Sequence, residues 1–197
     1  MKKYRDHYFK KAKQESYPAR SVYKLQDIDK RFQLLKPGLK VLDLGAAPGS
    51  WSQYAAKKVG PSGKILAVDL KPLDVQFPEQ VTFLEDDLLE PSENLKAKLQ
   101  EMGPFDLVLS DMAPKTIGVK ISDQARSFEL AEIAVQTAAS QLRSNGHVLV
   151  KVFEGPDVPE LIKKMRSLFK KAKTVKPKSS RAESKEIFLL GLNKKSE

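Results

Sequence analysis

The sequence predicts an α/β fold: a mostly parallel, seven-stranded sheet with helices on both faces. Three observations predict it. Five short runs of Val, Ile, Leu and Phe recur along the chain, apolar on both faces, as strands covered from both sides are. Helical patterns alternate with them, and this alternation winds into a doubly wound sheet. The polar motifs fall at the carboxyl ends of the strands, where such sheets bind ligands.

The five runs are KVLDLG (Lys40–Gly45), KILAVDL (Lys64–Leu70), VTFLEDD (Val81–Asp87), FDLVLSD (Phe105–Asp111) and HVLVKVF (His147–Phe153). AKTVKPK and EIFLLGLN, near the C-terminus, read as two more strands. Val22, Leu25, Ile28, Phe32 and Leu35 recur at spacings of three and four and predict an amphipathic helix closed by Pro37-Gly38. Further helices are predicted over Trp51–Val59, Ser122–Arg143, with Ser122 or Asp123 as N-cap, and Asp157–Lys171.

With 197 residues, 41% hydrophobic and 30% charged, the chain fits one domain, 1–197, with a basic arm over 1–20. No apolar run approaches the roughly 18 residues that span a bilayer, and no apolar segment follows the basic start as in a secretory signal. The expectation is a cytoplasmic protein with no membrane association. The absence of cysteine excludes disulfides, Cys-ligated zinc, iron–sulfur clusters and attack by a thiolate. Two histidines, His7 and His147, make no convincing metal site.

The net charge of +10 is unevenly spread. Eight Lys or Arg face two acids from Met1 to Lys24, and ten face one from Leu161 to Lys185. Between Asp74 and Glu101 the sign reverses, with eight acids and two lysines. Clustered basic ends suit a polyanion such as nucleic acid; a solvated surface or an acidic membrane accounts for charge alone nearly as well. The arm also interleaves Tyr4, Tyr8, Phe9, Tyr17 and Tyr23 with its basic residues, a pattern that can bind phosphates and stack unpaired bases. Some of these rings can instead staple the arm to the core, Tyr23 above all.

VLDLGAAPGSW (Val41–Trp51) places a small-residue turn between a strand and a helix, which admits close approach of a ligand to backbone. It is neither G-x-x-x-x-G-K-[ST] nor G-x-G-x-x-G, so the triphosphate and dinucleotide signatures fail. Asp43, before the turn, would repel a pyrophosphate and suits a cationic ligand. Asp69 ends the second strand, where a carboxylate can accept both ribose hydroxyls. Asp87 ends the third, within reach of an adenine amino group, and Asp111 ends the fourth. Singly, each can be a helix cap or turn residue. Together with the glycine loop they point to S-adenosylmethionine.

Lys151 lies in a run that should be buried, where a lysine is costly unless paired or neutral. Asp111, on the adjacent strand in the usual order, is a natural partner; a strand-end lysine reaching solvent is the alternative.

The chain resembles the FtsJ (RrmJ) family of 2′-O-ribose RNA methyltransferases from about Arg20 to Leu192, through RSVYKL, VLDLGAAPGSWSQY, VDLKPLD, LSDMAP, VLVKVFEG, RSLF and KPKSSRAESKE. The resemblance implies a Rossmann-like, S-adenosylmethionine-dependent methyltransferase fold. It implies a catalytic Lys-Asp-Lys-Glu tetrad at Lys24, Asp111, Lys151 and Glu186, with Glu186 rather than Glu183 at the family's spacing. The implied cofactor contacts are Gly49, Trp51, Asp69, Asp87 and Asp111. One departure is Ser50, where the family's loop reads Gly-Gly-Trp.

The tetrad makes chemical sense. A ribose 2′-hydroxyl must be held in line with the sulfonium methyl and lose its proton. Crowding by Lys24 or burial would lower the basicity of Lys151, and Asp111 would raise it. General base and electrostatic stabiliser both remain open as its role.

By analogy with the family's short bacterial members, the expected substrate is a uridine in the A-loop of 23S ribosomal RNA in the assembled large subunit, and the expected state a monomer. A tRNA 2′-O-methyltransferase is the first alternative. A non-catalytic RNA-binding assembly factor is the second, against which the complete tetrad counts. A small-molecule or protein methyltransferase leaves the basic ends unexplained, and the Asn/Asp-Pro-Pro-Tyr/Phe motif of amino-group methylation is replaced by Asp111-Met112-Ala113-Pro114.

Overall fold

The protein is described by a computed structural model covering residues 7–181 and 183–196; Tyr4 of the basic arm lies outside them. Helices α1 (His7–Gln14) and α2 (Val22–Phe32) precede strand β1 (Lys40–Leu44), followed by α3 (Ser50–Val59), β2 (Lys64–Asp69), β3 (Val81–Glu85), α4 (Glu93–Met102) and β4 (Phe105–Ser110). Then come α5 (Lys120–Gln141), β5 (Leu142–Phe153), α6 (Val158–Leu168), β6 (Phe169–Val175) and β7 (Glu186–Lys194).

The seven strands form one sheet in the order β3-β2-β1-β4-β5-β7-β6. The first five in that order run parallel, and β7 enters antiparallel between β5 and β6. The strand order reverses direction between β1 and β4, so their carboxyl ends diverge into a crevice.

Strand pleating sorts the side chains into two layers. Leu42, Leu44, Val108, Val148, Val150 and Leu189 pack with Leu95 of α4, Ala131 and Val135 of α5, and Leu161 and Met165 of α6. On the other face, Val41, Ile65, Leu107, Leu149, Phe188 and Leu190 pack with Leu25 and Ile28 of α2 and with Trp51 and Ala55 of α3. Lys151 is in step with Leu149 and so lies on the α2–α3 side. That parity brings a lysine of β5 towards a lysine of α2.

The structure corrects several element boundaries. Part of the basic arm is helical: α1 packs Ala12 into the core. The acidic stretch contains α4, whose cap Ser92 accepts from the Leu95 amide at 3.2 Å. α5 begins at Lys120 and stops at Gln141, short of Arg143, and β5 starts at Leu142, five residues before the predicted strand. A left-handed Asn145, φ 63°, lies within this early part of β5. Asp123 is not the cap residue; Val119 is, and the Asp123 carboxylate reaches back to the loop before it.

Most of the arm's described aromatics take the stapling alternative, Tyr23 among them. Tyr17 and Tyr23 are buried, and Tyr8 packs on Tyr23 with ring centroids 5.2 Å apart. Lys57 donates to the Tyr17 hydroxyl at 3.2 Å and lies over its ring. These rings staple the arm to the core, and of the described ones Phe9 alone is largely exposed. Among the described residues, no helix is long and apolar enough to cross a membrane.

Candidate active site

A cavity of about 490 Å³ opens at the carboxyl ends of β1, β2 and β4. Gly45, Ala47, Asp69, Asp86, Asp87, Asp111, Met112 and Lys151 are among its lining residues. Its floor is the turn after β1. The amides of Gly45 and Ala46 both donate to the Val68 carbonyl, at 2.9 and 3.1 Å, which folds the turn back over β2. Gly45 has φ +74°, and a Cβ there would stand 2.5 Å from Met112 Cγ. Only glycine fits that conformation and that contact.

Each acid is held differently. Asp69 accepts from the Ala47 amide through Oδ2 and from the Lys71 amide through Oδ1, both at 2.9 Å. A carboxylate oxygen can accept a second hydrogen bond, so Asp69, which lines the cavity, can still receive two hydroxyls. Asp87 accepts from the Leu89 amide at 2.8 Å, an Asx-type turn that fixes it at the rim. Its neighbour Asp86 takes the structural part, bonded to the Ser92 hydroxyl and amide at the start of α4. Sequence reading missed the apolar wall: Leu88, Met112, Leu130 and Ile133 line the same cavity, the last two from α5. Their spacing of three on an amphipathic helix reads equally well as ordinary core.

Asp43 does not reach the cavity. It is fully buried beneath α3, where Ser52 donates to its Oδ2 at 2.5 Å and Oδ1 has no hydrogen-bond partner among the described residues. Burial first, and then the charges of Asp111 and Asp69, push its carboxyl up to about 7 against the pull of Ser52. The folded state thus holds a proton that the unfolded chain, near 3.8, releases. Stability from this group is complete below about pH 4 and is lost as pH rises towards 7. Asp43→Asn, which keeps an acceptor for Ser52, is therefore expected to raise the melting temperature at pH 8 and to give little gain at pH 4. A gain of equal size at both pH values excludes this account.

Gly49 and Trp51, the other residues singled out in the loop, stand outside the lining. Gly49 has φ +103°, and a Cβ there would meet the Phe77 ring at 3.1 Å. Trp51 stacks on Phe188, centroids 5.8 Å apart, and donates from Nε1 to the Ser21 carbonyl at 3.0 Å. Ser50 acts as a fastener. Its buried hydroxyl accepts from the Ala19 amide at 2.7 Å and ties the segment before α2 onto α3.

The four tetrad residues converge from four elements. Lys151, buried to 5% exposure, donates to the Asp111 carbonyl at 2.5 Å and to Asp111 Oδ1 at 2.8 Å. An ammonium has three donors, so one is left for a third partner. Lys24 of α2 pairs with Glu186 at the start of β7, and Ser184 Oγ donates to the same carboxylate at 3.0 Å. Glu186 faces Phe153 across β5, two residues from Lys151 on the same side of the sheet. Burial alone would raise the Glu186 carboxyl; the charge and hydrogen bond of Lys24, then Lys151 and Ser184, outweigh it and hold it below the usual range.

Two smaller clefts flank Glu186. One holds Arg20, Lys24 and Arg181; the other holds Thr116, Gly118, Lys120, Asp123 and Lys185. Arg20 donates to the Ser179 carbonyl at 2.9 Å and Asp27 accepts from the Ser179 amide at 2.8 Å, so the segment before β7 is fastened beside α2.

The model of the FtsJ-like methyltransferase family matches residues 17–194, nearly all of the chain. The chain belongs to the FtsJ-like methyltransferases. Its similarity to named members of this FtsJ-like family is high. The ribosomal RNA large subunit methyltransferase E of Oleidesulfovibrio alaskensis is 58% identical over 192 residues, covering 98% of this chain and 93% of the relative. The protein of that name from Bdellovibrio bacteriovorus is 52% identical, covering 97% of each chain. A crystal structure from Plasmodium falciparum, described as a ribosomal RNA methyltransferase, superposes with a TM-score of 0.78 at 29% identity, over 92% of this chain and all of the other. The fibrillarin/Nop5p complex, at 21% identity and a TM-score of 0.61, shares the fold.

This FtsJ-like enzyme uses S-adenosylmethionine. The cavity suits that group. Its floor excludes a Cβ at Gly45, carboxylates stand at the ends of β2 and β4 and just past β3, and an apolar wall faces them.

Proposed function

We propose that the chain methylates the 2′-hydroxyl of a ribose in the 23S RNA of the large ribosomal subunit, at a uridine of the A-loop, using S-adenosylmethionine. The single observation that carries this reading is the Lys151–Asp111 pair at the cavity wall, with the Lys24–Glu186 pair beside it. The large-subunit RNA assignment is supported by the names of relatives 58% and 52% identical over nearly the whole chain. Uridine, A-loop and assembled subunit are the finer part of the proposal.

S-adenosylmethionine supplies an electrophilic methyl on a sulfonium. Asp69 would hold the ribose hydroxyls of that cofactor, Asp87 the adenine amino group, and Leu88, Met112, Leu130 and Ile133 the faces of the adenine ring. Gly49 and Trp51, which do not line the cavity, would serve the cofactor by setting the turn between Gly45 and α3. Lys151, with two donors on Asp111, offers its third position to the acceptor 2′-oxygen. Glu186 keeps Lys24 at the mouth, where the lysine can meet the adjoining phosphate. The bound group would supply its methyl to the 2′-oxygen with the bonding pair left on sulfur; the hydroxyl proton would pass to Lys151 as a neutral amine, or to solvent water where Lys151 stays a cation. A monomer is the proposed state, and the cytoplasm, where ribosomal subunits are assembled, the proposed compartment.

Mass-spectrometric mapping of ribose methylation on ribosomal RNA, from cells with and without this protein, tests the reading. One A-loop 2′-O-methyl group should disappear with the protein. Loss of a tRNA methyl group with ribosomal RNA unchanged selects the tRNA enzyme instead.

Basic residues at Arg20, Lys24, Arg181 and Lys185 around the mouth imply binding dominated by phosphate contacts. The dissociation constant for RNA is expected to rise steeply with salt, on the order of a hundredfold between 50 and 200 mM for about four phosphates. An affinity independent of salt, measured by filter binding, sinks the electrostatic account.

A further inference from the structure

The loop between β4 and α5 carries an unusual surface. Every residue from Lys115 to Ile121 is exposed, although three of the seven are large aliphatics. Ile117 and Val119 are each more than half exposed, and Ile121 is 79% exposed. Leaving three branched apolar side chains in water beside one another is unfavourable relative to burying them. Clustered exposure of this kind marks a contact surface.

The loop is also pre-shaped. The buried Asp123 carboxylate accepts from the Ile117 amide at 2.9 Å and the Gly118 amide at 3.2 Å. Gly118 sits at φ +83°, and Val119 is extended before the helix begins. Residues alternate along this stretch. Thr116, Gly118 and Lys120 line the cleft that contains Glu186, and Ile117, Val119 and Ile121, the intervening residues, are not among that lining. Towards its start, Ala113, Pro114 and Lys115 line the cofactor cavity. The apolar ridge therefore adjoins both the site of the methyl group and the acceptor cleft.

We propose that Ile117, Val119 and Ile121 form a wedge that receives the base next to the target nucleotide, so that the target ribose is splayed out of its stack towards Lys151. The occupant is single-stranded RNA. A methyl transfer to a 2′-oxygen needs the ribose withdrawn from a helix, and enzymes that expose one nucleotide often insert apolar side chains beside it. Lys115, just before the ridge, and Lys120, within it, are exposed and would meet the phosphates on either side. The ridge is continuous with the proposed acceptor cleft, and the inference rests on the RNA-methylation reading.

The test uses the full chain with Ile117, Val119 and Ile121 all changed to Ser. Exposure of all three side chains means the fold should survive. Affinity for S-adenosylmethionine, by calorimetry, is expected to stay within about twofold, while kcat/KM for RNA falls about tenfold, mainly through KM, as loss of a base contact implies. The fall should occur both on large subunits from cells lacking this protein and on a protein-free transcript of large-subunit RNA. Changing the same three residues to Leu should recover RNA affinity. Unchanged kcat/KM on both substrates overturns the wedge. A loss confined to intact subunits also overturns it, since the ridge then touches a ribosomal protein. The transcript's affinity, measured again in a Lys151→Ala background, separates the two readings. If the unaltered protein transfers to neither RNA, the functional reading fails; the wedge is then decided by whether the Ser changes still weaken RNA binding.

Discussion

Lys151→Ala is expected to abolish methyl transfer while leaving cofactor affinity within a few-fold. The side chain makes two hydrogen bonds, both to Asp111, at 2.5 and 2.8 Å, and lies at the wall of the cofactor cavity rather than across it. On the proposed role of Lys151, removing the donor offered to the acceptor oxygen should cost on the order of a thousandfold or more in rate, by analogy with oxyanion donors and general bases. Single-turnover transfer and calorimetric cofactor binding, measured on the same preparation, check the two halves. Turnover within tenfold of the unaltered enzyme sinks the assignment of Lys151. Lys151→Arg divides its two roles: a guanidinium can still donate to the developing alkoxide but takes no proton near neutral pH, so appreciable transfer by that variant excludes the general base.

Gly45→Ala is expected to be nearly as damaging, through cofactor binding instead of chemistry. The added methyl would lie 2.5 Å from Met112 Cγ and 3.0 Å from the backbone Cα and N of Met112. The Met112 side chain can swing aside, but its backbone is held by β4, where the next-door Asp111 amide donates to the Leu44 carbonyl at 3.2 Å. Left-handed backbone adds about 1–2 kcal/mol for any residue with a Cβ. The turn must lift, and the amides that fold it onto Val68 shift with it. We expect affinity for S-adenosylmethionine to fall by on the order of a hundredfold, which corresponds to about 2.7 kcal/mol, with the thermal midpoint lowered by several degrees. Cofactor affinity within threefold of the unaltered chain would show that the turn tolerates a side chain.

The sheet was legible because strands covered on both faces must be apolar throughout, and few other structures tolerate such runs. Lys151 stood out for the same reason: a lysine in a buried strand calls for a partner, and Asp111 is that partner. Helix α4 is hard to read in the sequence because only Leu95 and Met102 are buried and most of its other residues are charged or polar. Asp43 illustrates a different limit. Strand position placed it near the turn, but pleat parity turned it under α3, and parity depends on where the strand begins. The tyrosines of the arm were ambiguous for a chemical reason, since a ring beside lysines can stack on a base or on its own core. Glu186 enters the proposed tetrad through the family's spacing; no periodicity would single it out from Glu183.

The lysine and glutamate that pair at the mouth of the site are 162 residues apart, and the strand that begins with Glu186 lies between β5 and β6. β6 is made earlier, yet it has no neighbour in the sheet until β7 arrives. During synthesis the cofactor cavity, built from residues up to Lys151, can therefore close while the catalytic mouth is still missing a side. Docking of the outer two strands and formation of the Lys24–Glu186 pair are one event. A chain that has not finished folding carries its cavity acids but no second charge pair, and on the proposed tetrad its activity would report that the last strand is in place.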